Sequence, residues 1–120
     1  MSDVKIYRDL IVWQKSMEFT TEVYLLTKLF PKDELYGLSQ QIRKCAVSVP
    51  SNIAEGFGRN SQNDFKRFLQ ISIGSLFELQ TQLDISKNLE YISTNQYNDL
   101  FEKSREVERL LAGLIKSIIK

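Results

Sequence analysis

Few side chains in this sequence have the chemistry that catalysis needs. The chain contains one cysteine, Cys45, and no histidine. A cysteine nucleophile needs an exposed, electropositive setting and a base beside it, whereas Cys45 lies on an apolar helical stripe and is expected to be a small buried residue. Without histidine, the Glu-x-x-His motif of di-iron bundles and the arginine–histidine pair of helical RNases are excluded.

Glu55 is the remaining candidate for acid–base chemistry. A general base must be positioned and tuned by other groups, and the sequence places no second acid or metal ligand to work with this one. We interpret Glu55 as an ion-pair partner of Arg43 or Arg59, or as a contact to a neighbouring subunit. Glycine-rich phosphate loops and cysteine clusters are also missing, so the sequence predicts no enzyme, cofactor, metal site or small-molecule substrate.

Charge is balanced overall but unevenly distributed. The chain has 16 basic and 15 acidic residues, and a protein that binds nucleic acid by charge alone usually carries a larger excess. Basic residues nevertheless concentrate within residues 40–72, and acidic ones within 78–108. In a ring of subunits the basic residues would form a collar for a phosphate backbone; the alternative is an ordinary solvated surface. The candidate RNA contacts are Arg43, Lys44, Arg59, Lys66 and Arg67.

The absence of a disulfide, a signal peptide and a membrane segment in the sequence indicates the cellular compartment. A single cysteine forms no internal disulfide, which fits a reducing environment. The first nine residues include four charges and no apolar signal-peptide core, and no apolar stretch approaches 18 residues. We therefore expect a cytoplasmic protein without membrane contact.

Apolar residues at three- and four-residue steps predict four helices in a single domain of 120 residues. Their approximate ranges are 10–29, 34–57, 62–89 and 95–119. Pro31 ends the first helix, and Asp33, Ser61 and Thr94 are the expected caps of the others. Short connectors force neighbouring helices to run in opposite directions, so we predict an all-α, antiparallel, up-down-up-down four-helix bundle.

The first predicted helix carries two apolar stripes. One contains Leu10, Trp13, Met17 and Tyr24. The other includes an expected oligomer interface, made of Val12, Phe19, Val23, Leu26 and Phe30. A bundle needs one apolar face per helix, so the second stripe predicts a homo-oligomer. The alternative is a wider core that buries both stripes within one protomer.

The most specific segment lies in the second predicted helix, where Val-Pro-Ser-Asn-Ile-Ala-Glu-Gly occupies residues 49–56. Proline inside a helix removes a hydrogen bond, so a kink is predicted at Pro50. Ser48, Ser51 and Asn52 are expected to satisfy the carbonyl groups that the kink frees.

This segment and its flanks resemble the 23S rRNA intervening-sequence proteins, which are also called ribosomal-protein-like. Further matches are Leu10 and Trp13, residues 35–44, and Phe65, Phe68 and Leu69. The resemblance implies an antiparallel four-helix bundle that assembles into a homopentameric ring. It assigns a structural or interface role to Pro50, Asn52, Ile53, Glu55 and Gly56. A related group is the basic accessory protein of diversity-generating retroelements, which works with a reverse transcriptase and RNA; this chain lacks its positive charge.

These observations predict a non-catalytic oligomeric scaffold that binds a protein or nucleic-acid partner, with structured RNA contacting the basic rim. The alternative is an adaptor directed purely at proteins, for example a companion of a reverse transcriptase, without nucleic-acid binding.

Overall fold

Four α-helices make up most of the chain in a computed structural model that describes residues 4–118. They are α1 (Ile11–Thr27), α2 (Leu38–Phe57), α3 (Gln62–Asn88) and α4 (Thr94–Ser117). Short 3-10 helices at Tyr7–Asp9 and Lys32–Glu34 precede α1 and α2, and these described residues contain no strand. The all-α four-helix bundle is therefore confirmed. The predicted end of the last helix at residue 119 lies outside the described residues.

Neighbouring helices pack in opposite directions. Arg43 of α2 bonds to Thr27 of α1, and the later residue Ala46 of α2 bonds to the earlier residue Thr20 of α1. Residue numbers therefore rise along one helix where they fall along the other. The same order reversal is seen between α2 and α3, where residues 48 and 56 meet residues 75 and 68. Residues 22 and 15 of α1 pair with residues 103 and 106 of α4. The resulting rod measures 44 × 25 × 21 Å.

Helix α2 begins later than the sequence predicted. Gly37 has φ −115° and ψ −113°, which is not helical, and Leu38 is the first helical residue. The carboxylate of Glu34 accepts a hydrogen bond from the Leu38 amide at 2.9 Å, which satisfies one of the free N–H groups at the start of the helix. The predictions that α2 starts at Glu34 and that Asp33 caps it were therefore wrong.

The caps of the last two helices are serines. Ser61 Oγ accepts from the amide of Asp64 at 3.2 Å, as predicted. Ser93, not Thr94, caps α4: its hydroxyl accepts from the Gln96 amide at 3.1 Å, and the Gln96 side chain accepts from the Ser93 amide at 2.8 Å. This reciprocal pair satisfies two N–H groups at once, which is why the cap lies one residue earlier than predicted.

The bundle core contains the stripe of α1 that the sequence analysis assigned to an oligomer interface. Val12, Phe19, Val23 and Phe30 are buried among residues of α2, α3 and α4, and Leu26 is half-buried. Their assignment to an interface between subunits was wrong, because α1 turns this stripe toward α2 and α4. The exposed residues of α1 include Met17 and Tyr24 from the other stripe.

Gly56 lies where α2 and α3 approach each other closely. A Cβ atom at this position would lie 2.5 Å from Cβ of Phe68 and 3.2 Å from the Phe65 ring. The first distance is shorter than real Cβ contacts and the second is tight, so a side chain here would force α2 and α3 to shift.

The carbonyl group that Pro50 leaves free lies within hydrogen-bond distance of a hydroxyl on another helix, which it shares with a second acceptor. Proline has no N–H, so the oxygen of Ala46 lacks its usual helical partner. The hydroxyl of Thr20 lies 3.1 Å from that oxygen and 2.7 Å from the Ser16 oxygen in its own helix. Helix α2 continues through Pro50, and the bend predicted there stays a prediction.

The polar residues beside Pro50 have other partners than expected. Asn52 Nδ2 donates to the Ser48 carbonyl at 2.8 Å and lies 2.9 Å from its hydroxyl. The Ser48 hydroxyl in turn lies 2.9 Å from that of Ser75 in α3. Ser72 Oγ donates to the Val49 carbonyl at 2.9 Å. These contacts tie α2 to α3 and do not reach the carbonyl of Ala46.

Replacing Gly56 by alanine is expected to destabilise the protein by about 1–3 kcal/mol, since the added methyl group overpacks the α2–α3 contact. Gly113→Ala in α4 is the matched control, because a Cβ there meets no atom within 4 Å. That change should stabilise the fold by about 0.5–1 kcal/mol through helix propensity. Urea unfolding of both variants measures the difference, and equal effects of the two would contradict the steric requirement.

Thr20→Val is expected to cost about 1 kcal/mol, because the Ala46 carbonyl loses its donor. In a Pro50→Ala background the cost should fall by about 0.5–1 kcal/mol, since the amide N–H regained at position 50 then bonds to that carbonyl. Thr21→Val serves as control, because its hydroxyl bonds only within α1 and is exposed. A double-mutant cycle in urea measures the coupling; a zero coupling energy would show that Thr20 does not support the proline.

Candidate functional site

The five basic residues predicted to contact RNA fall into two separate groups. Arg43 and Lys44 lie near the start of α2, whereas Arg59, Lys66 and Arg67 surround the turn between α2 and α3. About 14 helical residues separate the groups, which corresponds to about 20 Å along the α2 axis. The structure therefore does not bring the five cations together in one patch.

The group at the α2–α3 turn, which we call the rim, is organised around Phe68. The guanidinium carbons of Arg59 and Arg67 each lie 4.9 Å from the centre of this ring. Arg59 also pairs with Glu55 at 2.9 Å, and Arg67 with Asp64 at 3.6 Å. These pairs are exposed, so each contributes at most about 1 kcal/mol, but they place two negative charges among three positive ones.

The family-like motif of α2 mainly serves packing. Pro50, Ile53 and Gly56 are buried, and Asn52 bonds within α2. Glu55 is the exposed member, and of the two arginines proposed as its partners the structure selects Arg59. A carboxylate that is exposed and already paired has no feature of a general base.

Cys45 of α2 is buried beside Glu78 and Gln82 of α3. Burial raises the pKa of its thiol, and the nearby carboxylate of Glu78 adds to this shift. The thiol is therefore protonated near neutral pH and is a poor nucleophile. The structure thus agrees with the interpretation of Cys45 as a small core residue.

Residues 4–118 lack the features of a metal site and of a membrane-spanning helix. No group of three or more cysteine, aspartate or glutamate side chains is placed to hold a metal ion. None of the helices in this range combines the length and the apolar character needed to cross a bilayer.

Two exposed apolar surfaces emerge that the sequence analysis did not assign. The first, the α1–α2 face, contains Met17, Tyr24 and Val47, which are 42%, 39% and 41% exposed. The second, the α3 face, contains Ile71, Phe77 and Ile85, which are exposed to a similar degree. Met17 and Tyr24 belong to the first stripe of α1, so the sequence contained this signal.

The fold and the motif can be compared with known proteins. The model of the family described as "23S rRNA-intervening sequence protein" matches residues 8–113. A crystal structure of a protein of unknown function from the S23 ribosomal protein family of Bacteroides thetaiotaomicron has a TM-score of 0.83 to this chain. The two are 30% identical, and the alignment covers 89% of this chain and 96% of that one. Comparison with curated proteins gave no match.

Neither comparison indicates a catalytic family, and the solved neighbour is itself described as a protein of unknown function. The link to the accessory protein of diversity-generating retroelements stays a prediction. The family match extends over both the Pro50–Gly56 segment and the helices around it. This chain belongs to the 23S rRNA-intervening sequence protein family.

Proposed function

We propose that the protein is a non-catalytic scaffold that acts as a homo-oligomer. The observation that supports this best is the apolar surface that stays exposed on two different sides of the bundle, although the protomer has its own buried core. Grouped apolar side chains on a monomer's surface mark sites of protein association. The protected thiol of Cys45 and the paired carboxylate of Glu55 support a role without catalysis.

The α1–α2 face has the composition of an interface anchor. Arg43 lies over the Tyr24 ring at 5.0 Å, and Val47 follows Arg43 by one turn of α2. Met17 lies two turns before Tyr24 on α1. Aromatic residues, methionine and arginine are enriched in protein interfaces, and a tyrosine already oriented by an arginine loses little conformational entropy on binding.

The α3 face has a shape that suits close contact with another helix. Gly74 lies one turn from both Ile71 and Phe77, and a Cβ at this position would meet no atom within 4 Å. Glycine in the middle of a helix costs about 0.5–1 kcal/mol relative to alanine. No contact among the described residues offsets that cost at Gly74, whereas a partner backbone packed over it would.

The two faces favour a ring. Helices α1 and α3 lie diagonally opposite in the bundle, since each packs against α2 and α4, so the faces belong to different sides. Contact between two different surfaces is head-to-tail and closes into a ring when the rotation permits. We propose that the α1–α2 face of one copy packs on the α3 face of the next, in the pentameric ring that the family resemblance implies.

RNA contact through the rim is less well supported than protein contact. Glu55 and Asp64 pair with Arg59 and Arg67, and both guanidiniums are held over Phe68. Phosphate binding would have to compete with these contacts, so the geometry favours the protein-directed alternative.

Val47→Glu and Phe77→Glu are each expected to convert the assembly into single chains, because either change places a charge in the proposed contact. The exposed position Ala112 of α4 provides the control, and Ala112→Glu should leave the assembly intact. Native mass spectrometry measures the number of chains in each sample.

Mixing the two disrupted variants tests the head-to-tail arrangement. Each retains one intact face, so an equimolar mixture should form a species of two chains, one of each variant. A wild-type protein that stays monomeric at about 10 μM, a concentration well above the dissociation constants of stable interfaces, would refute the proposal. So would a Phe77→Glu variant that still dimerises alone.

Neutralising the rim by Arg59→Gln, Lys66→Gln and Arg67→Gln together is expected to change the affinity for a structured RNA by less than about twofold, and to leave its salt dependence unaltered. Filter binding across a salt titration measures both quantities. A loss of affinity in the triple variant, together with a salt slope smaller by about two to three, would instead establish the rim as an RNA contact.

A further inference from the structure

A groove with a basic lining lies where α1 ends and α2 begins. Its volume is about 380 Å³, and it lies at the opposite end of α2 from the rim. Three cationic side chains line it, those of Lys28, Lys32 and Arg43, and none of the described residues that line it is acidic. The remaining walls include the apolar side chains of Phe30 and Leu35.

Arg43 is held in this groove by contacts that leave its charge unpaired. Its Nε donates to the hydroxyl of Thr27 at 2.7 Å, and its guanidinium lies over the Tyr24 ring. Thr27 is buried, and its own hydroxyl donates to the Val23 carbonyl, which fixes its orientation. Within residues 4–118, Arg43 forms no ion pair with a carboxylate, unlike Arg59 and Arg67 of the rim.

Ser39 adds a hydroxyl donor to the lining of the groove. It is only 3% exposed, it lines the groove, and its hydroxyl forms no hydrogen bond within the described residues. Within residues 4–118, the other buried serines all donate to a backbone carbonyl; they are Ser16, Ser72, Ser86 and Ser104. The hydroxyl lines the groove, so it is free to donate to an acceptor bound there.

Ser39 lies in the first turn of α2, whose N-terminus is capped by the carboxylate of Glu34. The nearest acidic residues in sequence, Asp33 and Glu34, do not line the groove. The carboxylate of Glu34 accepts hydrogen bonds from the Leu38 amide and the Tyr91 hydroxyl, and these contacts lower its pKa.

We propose that this groove binds a phosphate monoester, either as the free ion or as the phosphate of a mononucleotide. Arg43 offers two terminal nitrogens in a planar fork that matches phosphate oxygens. Lys28 and Lys32 add point charges, and Ser39 donates a hydrogen bond. A monoester dianion matches three cations better than a carboxylate does, and Phe30 and Leu35 provide a surface for the organic part of the ligand.

Isothermal titration of the full-length protein in phosphate-free buffer, with inorganic phosphate and with AMP as probes, tests the groove. AMP should bind about tenfold more tightly than inorganic phosphate if the apolar wall contacts the nucleoside. Equal affinities would instead assign the groove to the free ion. Failure of both probes to bind at about 10 mM would overturn the proposal.

Variants separate a built site from diffuse charge. Lys28→Gln combined with Lys32→Gln should weaken binding at least about tenfold, because both ammonium groups line the groove. Lys66→Gln combined with Lys116→Gln removes the same charge elsewhere and should change the affinity less than about twofold. Equal losses in the two double variants would reduce the effect to net charge and contradict the site.

Ser39→Ala distinguishes ligand binding from a structural role. Because the hydroxyl has no protein partner, its removal should not lower the free energy of unfolding, whereas the affinity for phosphate should fall about three- to tenfold. Unchanged affinity in this variant would remove Ser39 from the site. A short RNA without terminal phosphates that displaces AMP at equal concentration would show that the groove binds phosphodiesters, contrary to the proposal.

Discussion

The close packing of α2 against α3 is the contact on which the rest of this bundle depends. It is possible because Gly56 has no side chain where Phe68 approaches. Across the interface, the Ser48 and Ser75 hydroxyls bond to each other, and the Ser72 hydroxyl donates to the Val49 carbonyl. On its other side, α2 offers α1 the carbonyl of Ala46, which Pro50 leaves free. A proline that would weaken an isolated helix thus becomes an attachment point for its neighbour.

This arrangement explains why the most recognisable segment of the sequence contains no reaction chemistry. Its buried residues serve steric fit and hydrogen bonding inside the bundle, and Ser51 and Glu55 are its exposed residues. The surfaces with properties suited to binding lie elsewhere: on α1 and α2, on α3, and at the junction of α1 with α2. A family signature of this kind identifies the fold and leaves the partner to be established from the surface.

The surroundings of the arginines, more than their number, decide how much of their positive charge is left uncompensated. Arg59 and Arg67 lie beside carboxylates one turn away, so their fields are largely compensated. Arg43 is held by a hydroxyl and an aromatic ring, neither of which carries a compensating charge. A chain with almost no net charge can therefore retain a strongly positive groove, because compensation is local and falls off within about 10 Å in salt.

The sequence alone determined the number of helices, their approximate bounds and the bundle class, because apolar periodicity, proline and serine caps act over a few residues. It also identified the Pro50–Gly56 segment and excluded histidine chemistry. Only the tertiary structure decided which stripe of α1 enters the core, since both are continuous along the helix and the choice depends on where α2 and α4 lie. It likewise decided that Glu34 caps α2 and that the Thr20 hydroxyl lies beside the Ala46 carbonyl. It also decided that Lys28 and Lys32 line the same groove as Ser39 and Arg43. These groups are distant in sequence or separated by a turn, and packing alone brings them together.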